Sequence, residues 1–238
     1  MLRAQNLSKS VPTDSGPQFI LRDCNLELSQ GGMTAIVGPS GAGKTSLLYC
    51  LSGLDQPDAG NVWINGVDIY GLNDERRSRF IRTTASFVFQ QYNLIPYLTV
   101  EENIRLPLSF DKRKLDEGAL QTTLDRFGLS DKRHGRVSHL SGGEQQRAAL
   151  CRAILVQPQV VFADEPTGAL DTANTSIVLS VLRELADGGC TVVLVTHDVE
   201  SAALADRLIF MRDGNITNVT GKLGAKDILS QTTRLAGG

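Results

Sequence analysis

The sequence has no CxxC pair, and its four cysteines, Cys24, Cys50, Cys151 and Cys190, are widely spaced. Each has apolar or small neighbours, which favours buried free thiols in a reducing compartment over disulfides or a metal centre. No apolar run approaches the roughly 20 residues of a membrane helix, and the opening MLRAQNLSKS lacks the apolar segment of a signal peptide. A soluble, cytoplasmic chain without direct membrane insertion is expected. The net charge of -2 supplies no global attraction to nucleic acid or anionic lipid, so any partner has to be recognised locally. Internal repeats and low-complexity tracts are also missing, and the Gly-rich end at 235–238 is expected to fray.

What remains is an ordinary globular composition, 41% hydrophobic and 21% charged, in 238 residues. That length suits one α/β domain carrying a lobe. Short runs rich in β-branched residues at 34–37, 86–89, 160–163, 191–196 and 208–211 read as strands, separated by segments of helical character. The alternation predicts a mainly parallel sheet covered on both faces. Residues 25–28 alternate, and 62–64 run into Asn65-Gly66, which predicts a small antiparallel patch. Strand signals lapse between 92 and 157, where 100–108, 118–127 and 144–156 read as helices. The expected organisation is a single domain with a core of 1–91 and 158–220, an inserted helical lobe of 92–157 and a tail of 221–238.

Gly38-Pro39-Ser40-Gly41-Ala42-Gly43-Lys44-Thr45 fits G-x-x-x-x-G-K-[ST] and lies between an apolar strand and the helical run that starts at Ser46. In such a loop backbone N–H groups turn inward on phosphates, the lysine reaches the β and γ oxygens, and the Thr45 hydroxyl can ligate Mg²⁺. A second buried strand ends in Asp164-Glu165-Pro166, placing two carboxylates where ligands of open α/β sheets collect. Asp164 is expected to hold Mg²⁺ through water, and Glu165 to take a proton from the attacking water or to orient it. Two further strands end at His197-Asp198 and Gln90-Gln91, so His197 is placed to bond the γ-phosphate and Gln90 to touch Mg²⁺ or the water. His134 and His139 lack such placement and are read as structural.

The stretch LSGGEQQR at 140–147 puts Ser141-Gly142-Gly143-Glu144 at a helix start, a second anion site made of free N–H groups and the positive end of the helix dipole. One chain cannot easily fold this turn over the first loop. Two chains head to tail can, each offering its Ser141 turn to the nucleotide on the other's Lys44 loop. Here the residues resemble the ATP-binding-cassette family over essentially the whole chain: LSGGEQQR is similar to its signature, GPSGAGKT to its Walker A and VVFADE to its Walker B. In the same way Gln90 resembles its Q-loop, Gly168-Ala169-Leu170-Asp171 its D-loop and His197 its switch histidine. Residues 87–108 resemble the subfamily of macrolide exporters, lipoprotein-releasing systems and the cell-division type.

That resemblance implies a Mg-dependent ATPase working as a homodimer with ATP sandwiched between the copies. It also implies a separate permease with few membrane helices, which holds the chain on the cytoplasmic face of the membrane. Closure on ATP would drive the permease mechanically, to export or extrude a hydrophobic or amphipathic cargo. Lipoprotein, peptide, antibiotic, haem or no cargo all fit these residues, as does a mechanical ATPase that regulates a membrane partner without transport. A phosphate-loop kinase would not explain LSGGEQQR, and a DNA-repair or translation cassette usually carries tandem cassettes or a coiled-coil insertion. One position departs from the family: where an aromatic stacks on adenine the chain has Val11, with Phe19 the nearest substitute. The basic runs Arg76-Arg77-Ser78-Arg79 and Lys112-Arg113-Lys114 are interleaved with Asp74, Glu75, Asp111 and Asp116 and read as solvated helix surface, with no nucleic acid bound.

Overall fold

The computed structural model describes residues 1–14, 16–111, 113–168 and 170–237. Strands β1 (Leu2–Thr13) and β2 (Gly16–Leu28) form a long antiparallel hairpin, followed by β3 (Met33–Val37), α1 (Lys44–Ser52), β4 (Ala59–Ile64), β5 (Val67–Asp68), α2 (Asp74–Thr84) and β6 (Ala85–Phe89). The lobe contributes α3 (Val100–Ser109), α4 (Glu117–Arg126) and α5 (Gly142–Leu155). The chain then runs through β7 (Val160–Asp164), α6 (Thr172–Asp187), β8 (Thr191–Val195), α7 (Val199–Ala203), β9 (Arg207–Arg212), β10 (Asn215–Gly221) and α8 (Ala225–Ala236). Among the described residues no helix is long and apolar enough to cross a membrane.

Six strands in the order β10-β9-β3-β8-β7-β6 make the main sheet, parallel except for the edge strand β10. The four-stranded sheet β2-β1-β4-β5 is antiparallel throughout. The α/β expectation is met, and alternate residues of the buried strands explain the layering. Ala35, Val37, Val192 and Leu194 enter one apolar core with Val100, Ile104, Leu120, Leu124 and Leu150 of the lobe. Ile36, Val193 and Val195 enter another with Leu47 and Leu51 of α1 and with Val62 and Ile64 of the antiparallel sheet. Two buried faces remove the polar alternation from β3 and β8, so they read as continuous apolar runs. The lobe is thus continuous with the sheet's core, joined by α5, which packs on α3 and α4 as well as on β6 and α6.

Sequence pattern located β1 and β2 poorly, and the reason is in their register. The pairing shifts between Ala4 and Leu7, between Leu7 and Lys9 and between Lys9 and Ser10, while Asn6 and Asp23 sit at φ 51° and 48°. Each irregularity interrupts the period-2 pattern that identifies a strand. The cysteine expectation is met: all four are free and buried, and burial pushes the Cys50 and Cys151 thiols up to about 12.

An ion cluster ties the lobe together. Arg133 Nε donates to Glu101 Oε2 at 2.6 Å, Arg105 Nε donates to Glu101 Oε1 at 2.7 Å, and Glu117 pairs with both arginines. Arg133 first, with Arg105, holds the Glu101 carboxyl down to about 2 against the opposing effect of burial. Because the folded value lies below the unfolded one, this contribution is full above about 4.5 and is lost as pH falls towards 2. Glu101→Gln should therefore lower the urea midpoint at neutral pH, and the gap to wild type should close on acidification; a gap independent of pH would contradict this account.

Candidate functional site

The phosphate loop joins β3 to α1, and its glycines answer to specific neighbours. A Cβ at Gly38 would collide with the carbonyl oxygen of Met211, and one at Gly43 would stand 2.6 Å from that of Ile20. Gly43 also takes φ 93° as the N-cap of α1, a conformation costly for a residue with a Cβ. Lys44, the first residue of α1, donates from Nζ to the carbonyl oxygens of Gly38 (2.9 Å) and Pro39 (2.8 Å). Burial pushes its ammonium below the ordinary range, opposed by the carboxylates of Glu165 and Asp164. A partly buried cation thus spans a loop in which Ser40 and Gly41 are exposed and Ala42 is buried. Ser46 lies half-buried in the first turn of α1.

Strand order brings the carboxylates to this loop. β8 lies directly beside β3, β7 one strand further and β6 beyond it, so Gln90 starts from the most distant of the four. Thr45 Oγ1 on α1 donates to Asp164 Oδ1 at 3.0 Å. Glu165 has φ 45°, and its N–H is fixed by the carbonyl of Val195 at 2.9 Å. Its Oε2 lies 2.9 Å from Nδ1 of His197 and accepts the His197 backbone N–H at 3.4 Å. The Thr45 hydroxyl and Asp164 carboxylate are hard oxygen donors of the kind Mg²⁺ takes when phosphate oxygens complete its shell, so these residues fit that ion. Gln90 is exposed, and its amide nitrogen lies 2.9 Å from where a Cβ at Gly168 would stand, against the segment that follows Glu165. Ala169 of the expected D-loop lies outside the described residues; Asp171 caps α6, accepting the N–H of Asn174 at 2.8 Å.

Tyr49 was not singled out from sequence. It follows Thr45 by four residues on α1, hence on the same helix face, close enough to Asp164 to feel its charge. Burial first, then Asp164, pushes its phenol up to about 12. The helix spacing was the available signal. His134 and His139 lie away from this group: His134 is 3.5 Å from Glu101 within the lobe's ion cluster, and His139 ends a short 3₁₀ turn, Val137–His139.

Ser141 caps α5 in a reciprocal box with Glu144. The Ser141 hydroxyl accepts the Glu144 N–H at 3.4 Å, while Glu144 Oε2 accepts the Ser141 N–H at 2.8 Å. Lys132 first, then Ser141, holds the Glu144 carboxyl down to about 2. The box satisfies those two donors and leaves the N–H groups of Gly142 and Gly143 at the positive helix end. Gly143 has a local reason too: a Cβ there would stand 2.7 Å from Asn174 Nδ2, and Asn174 is held by Asp171 Oδ2 at 2.9 Å and by Arg147 Nη1 at 2.9 Å. Asn174 and Arg147 are further residues that sequence reasoning missed, with no motif to mark them. Among the described residues, the neighbours of the Ser141 turn (Lys132, Tyr92, Asn174) are separate from those of the Lys44 loop (Ile20, Met211, Asp164).

Phe19 and Val11 fall on opposite faces of the hairpin. Phe19 pairs with Ser10 and Val11 with Gln18. Leu21 marks the face towards the loop, since its Cδ2 lies 3.2 Å from a Cβ position at Gly43. Arg22, next along, points the other way and stacks its guanidinium 5.4 Å from the centroid of the Phe19 ring. The Phe19 ring thus lies with Arg22 on the face opposite Leu21. Val11 continues the inner row of Leu7 and Lys9.

The ABC transporter family model matches residues 21–168. The lipoprotein-releasing system ATP-binding protein LolD 1 of Rhodopirellula baltica is 44% identical over 211 residues, 87% of this chain and 91% of that protein. The macrolide export ATP-binding/permease protein MacB of Salmonella typhimurium is 39% identical over 220 residues, 92% of this chain. Those residues are 34% of the relative, so the chain spans about a third of the length of the macrolide-export relatives it matches. Among solved structures, an ATP-binding cassette described as the dimeric structure of a post-hydrolysis state bound to ADP and Pi superposes with a TM-score of 0.86 at 34% identity. That match covers 94% of this chain and 100% of the other.

Proposed function

Because the chain belongs to the ABC transporter family and is an ATPase cassette of the macrolide-export and lipoprotein-releasing type, we propose that two copies close head to tail on two ATP molecules to drive a membrane permease. The observation that carries this reading is the separation of the two anion-binding turns: the Lys44 loop and the Ser141 turn have distinct contacts within one chain, and head-to-tail pairing lets each complete the other's site. In that arrangement Lys44 binds the β and γ phosphates, and the N–H groups of Gly142 and Gly143 of the other copy meet the γ-phosphate from the far side. Thr45 and Asp164 would hold Mg²⁺, which when bound neutralises charge on the phosphate oxygens. Glu165 orients the attacking water or takes its proton, and His197, 2.9 Å from that carboxylate, keeps it aimed.

Mixing Lys44→Ala chains with Ser141→Arg chains tests the shared site, because a mixed dimer contains one site with both defects and one with neither. Recovery of ATP hydrolysis from two inactive parents is the expected result. If mixed dimers form, remain inactive, and give no crosslink from a cysteine at 141 to nucleotide on the other copy, the arrangement is wrong.

The adenine end has a separate expectation. Stacking on an aromatic ring contributes roughly 1 to 3 kcal/mol per base, so a base resting on Phe19 would lose that on truncation. With the ring on the outer face, Phe19→Ala should leave the ATP dissociation constant unchanged, measured by titration calorimetry; a tenfold weakening would return the base to Phe19.

For the permease we propose docking where the lobe meets the sheet. Tyr97 and Ile95 are 82% and 40% exposed, and Asn93 of the same segment lines a cavity of 390 Å³ with Phe89, Pro107 and Arg152. Arg152 donates to the carbonyls of Tyr92 (2.8 Å) and Asn93 (2.6 Å), so pressure at this cavity reaches the segment that starts at Gln90. Failure of the native chain to co-purify with any integral membrane protein would count against this part alone. This placement puts the chain on the cytoplasmic face of the membrane.

A further inference from the structure

His197 has little packing of its own. Its side chain is 73% exposed, so the backbone that delivers the imidazole to Glu165 decides where the ring stands. That backbone leads into α7, where Asp198 is the N-cap and accepts the N–H of Ser201 at 2.9 Å. α7 has only five residues, and a helix so short has no stability apart from its packing. Its supports are β3 and α8. Ile228 of α8, 0% exposed, enters the same core as Ala202 and Ala205 at the end of α7. Further along α8, Thr232, Thr233 and Ala236 line a 250 Å³ cavity together with Pro39, His197 and Asp198. Open space therefore lies against the His197 segment, and Ile228, the one fully buried residue of α8, borders it from the α8 side.

We propose that α8 is a positioning element for His197: through Ile228 it holds α7, and with it the imidazole, within hydrogen-bonding distance of Glu165. The proposal rests on the reading of Glu165 and His197 given above. It assigns a part in ATP turnover to residues 225–236, which carry no nucleotide-binding motif.

A double-mutant cycle on the full chain separates this from an ordinary core contact. Ile228→Ala should lower kcat about tenfold or more with the ATP dissociation constant unchanged, because displacing a positioned group by about 1 Å costs up to a hundredfold. Ile228→Val, which removes one methylene and keeps the fold, should lower kcat in the same direction by less. In a His197→Ala background neither change at Ile228 should reduce kcat further. Equal fractional losses in both backgrounds, a weakened ATP dissociation constant, or wild-type kcat in both Ile228 variants would overturn the role of α8. If His197→Ala itself turned over ATP at the wild-type rate, the reading of His197 would fail first and the role of α8 with it.

Discussion

Glu165→Gln is expected to lower steady-state ATP hydrolysis by about a thousandfold, within the range that a positioned general base contributes. Nucleotide binding should be nearly unchanged, since Lys44 and the Thr45–Asp164 pair are untouched. Glutamine is close in shape to glutamate and can keep the turn at φ 45° and the N–H bond to Val195. It replaces one carboxylate oxygen by an NH₂ group, so the residue loses its charge and its capacity to take a proton. The ring of His197, 2.9 Å away, then faces an amide in place of a carboxylate. With ATP bound and not consumed, closed dimers should accumulate, visible as an ATP-dependent shift in gel filtration. Turnover near wild type, or a protein that stays monomeric with Mg-ATP, would sink the assignment of Glu165.

Lys44→Ala should weaken ATP binding by about a hundredfold or more, because hydrogen bonds to a charged group contribute about 1.5 to 3 kcal/mol each and this ammonium is placed to make two. The fold should respond differently. Burial already works against the Lys44 ammonium, so its removal takes away a desolvated charge along with two bonds to carbonyl oxygens. The unfolding midpoint without nucleotide should therefore stay close to wild type while affinity collapses. A parallel loss of both would mean that Lys44 mainly braces the loop. Lys44→Arg keeps the charge, but its planar fork is poorly matched to a slot between two successive carbonyls, and it should recover only part of the affinity.

The strands of the main sheet were legible because burial on both faces writes each as an uninterrupted apolar run: 34–37 lies within Met33–Val37, and 160–163 within Val160–Asp164. The helix starts in the lobe were close for a similar reason, since Thr99 and Ser141 are capping residues followed three positions later by glutamate. β1 and β2 were obscured by their bulges. The tail was uninformative in sequence because α8 has just one fully buried position, Ile228, whose burial depends on α7 being beneath it.

The sequence by itself determined the fold class, the family and the residue types at the phosphate loop, the carboxylate strand end and the Ser141 turn. Their chemistry depends on spacing along a few consecutive residues, and backbone geometry converts that spacing directly into position. Tertiary structure alone decided which groups meet across long stretches of chain: Thr45 and Tyr49 with Asp164, Glu165 with His197, Asn174 with Gly143. It also decided which face of the hairpin carries Phe19 and what stands behind α7. These contacts follow from strand order, a shifted register and the packing of distant helices, quantities to which no short stretch of sequence corresponds.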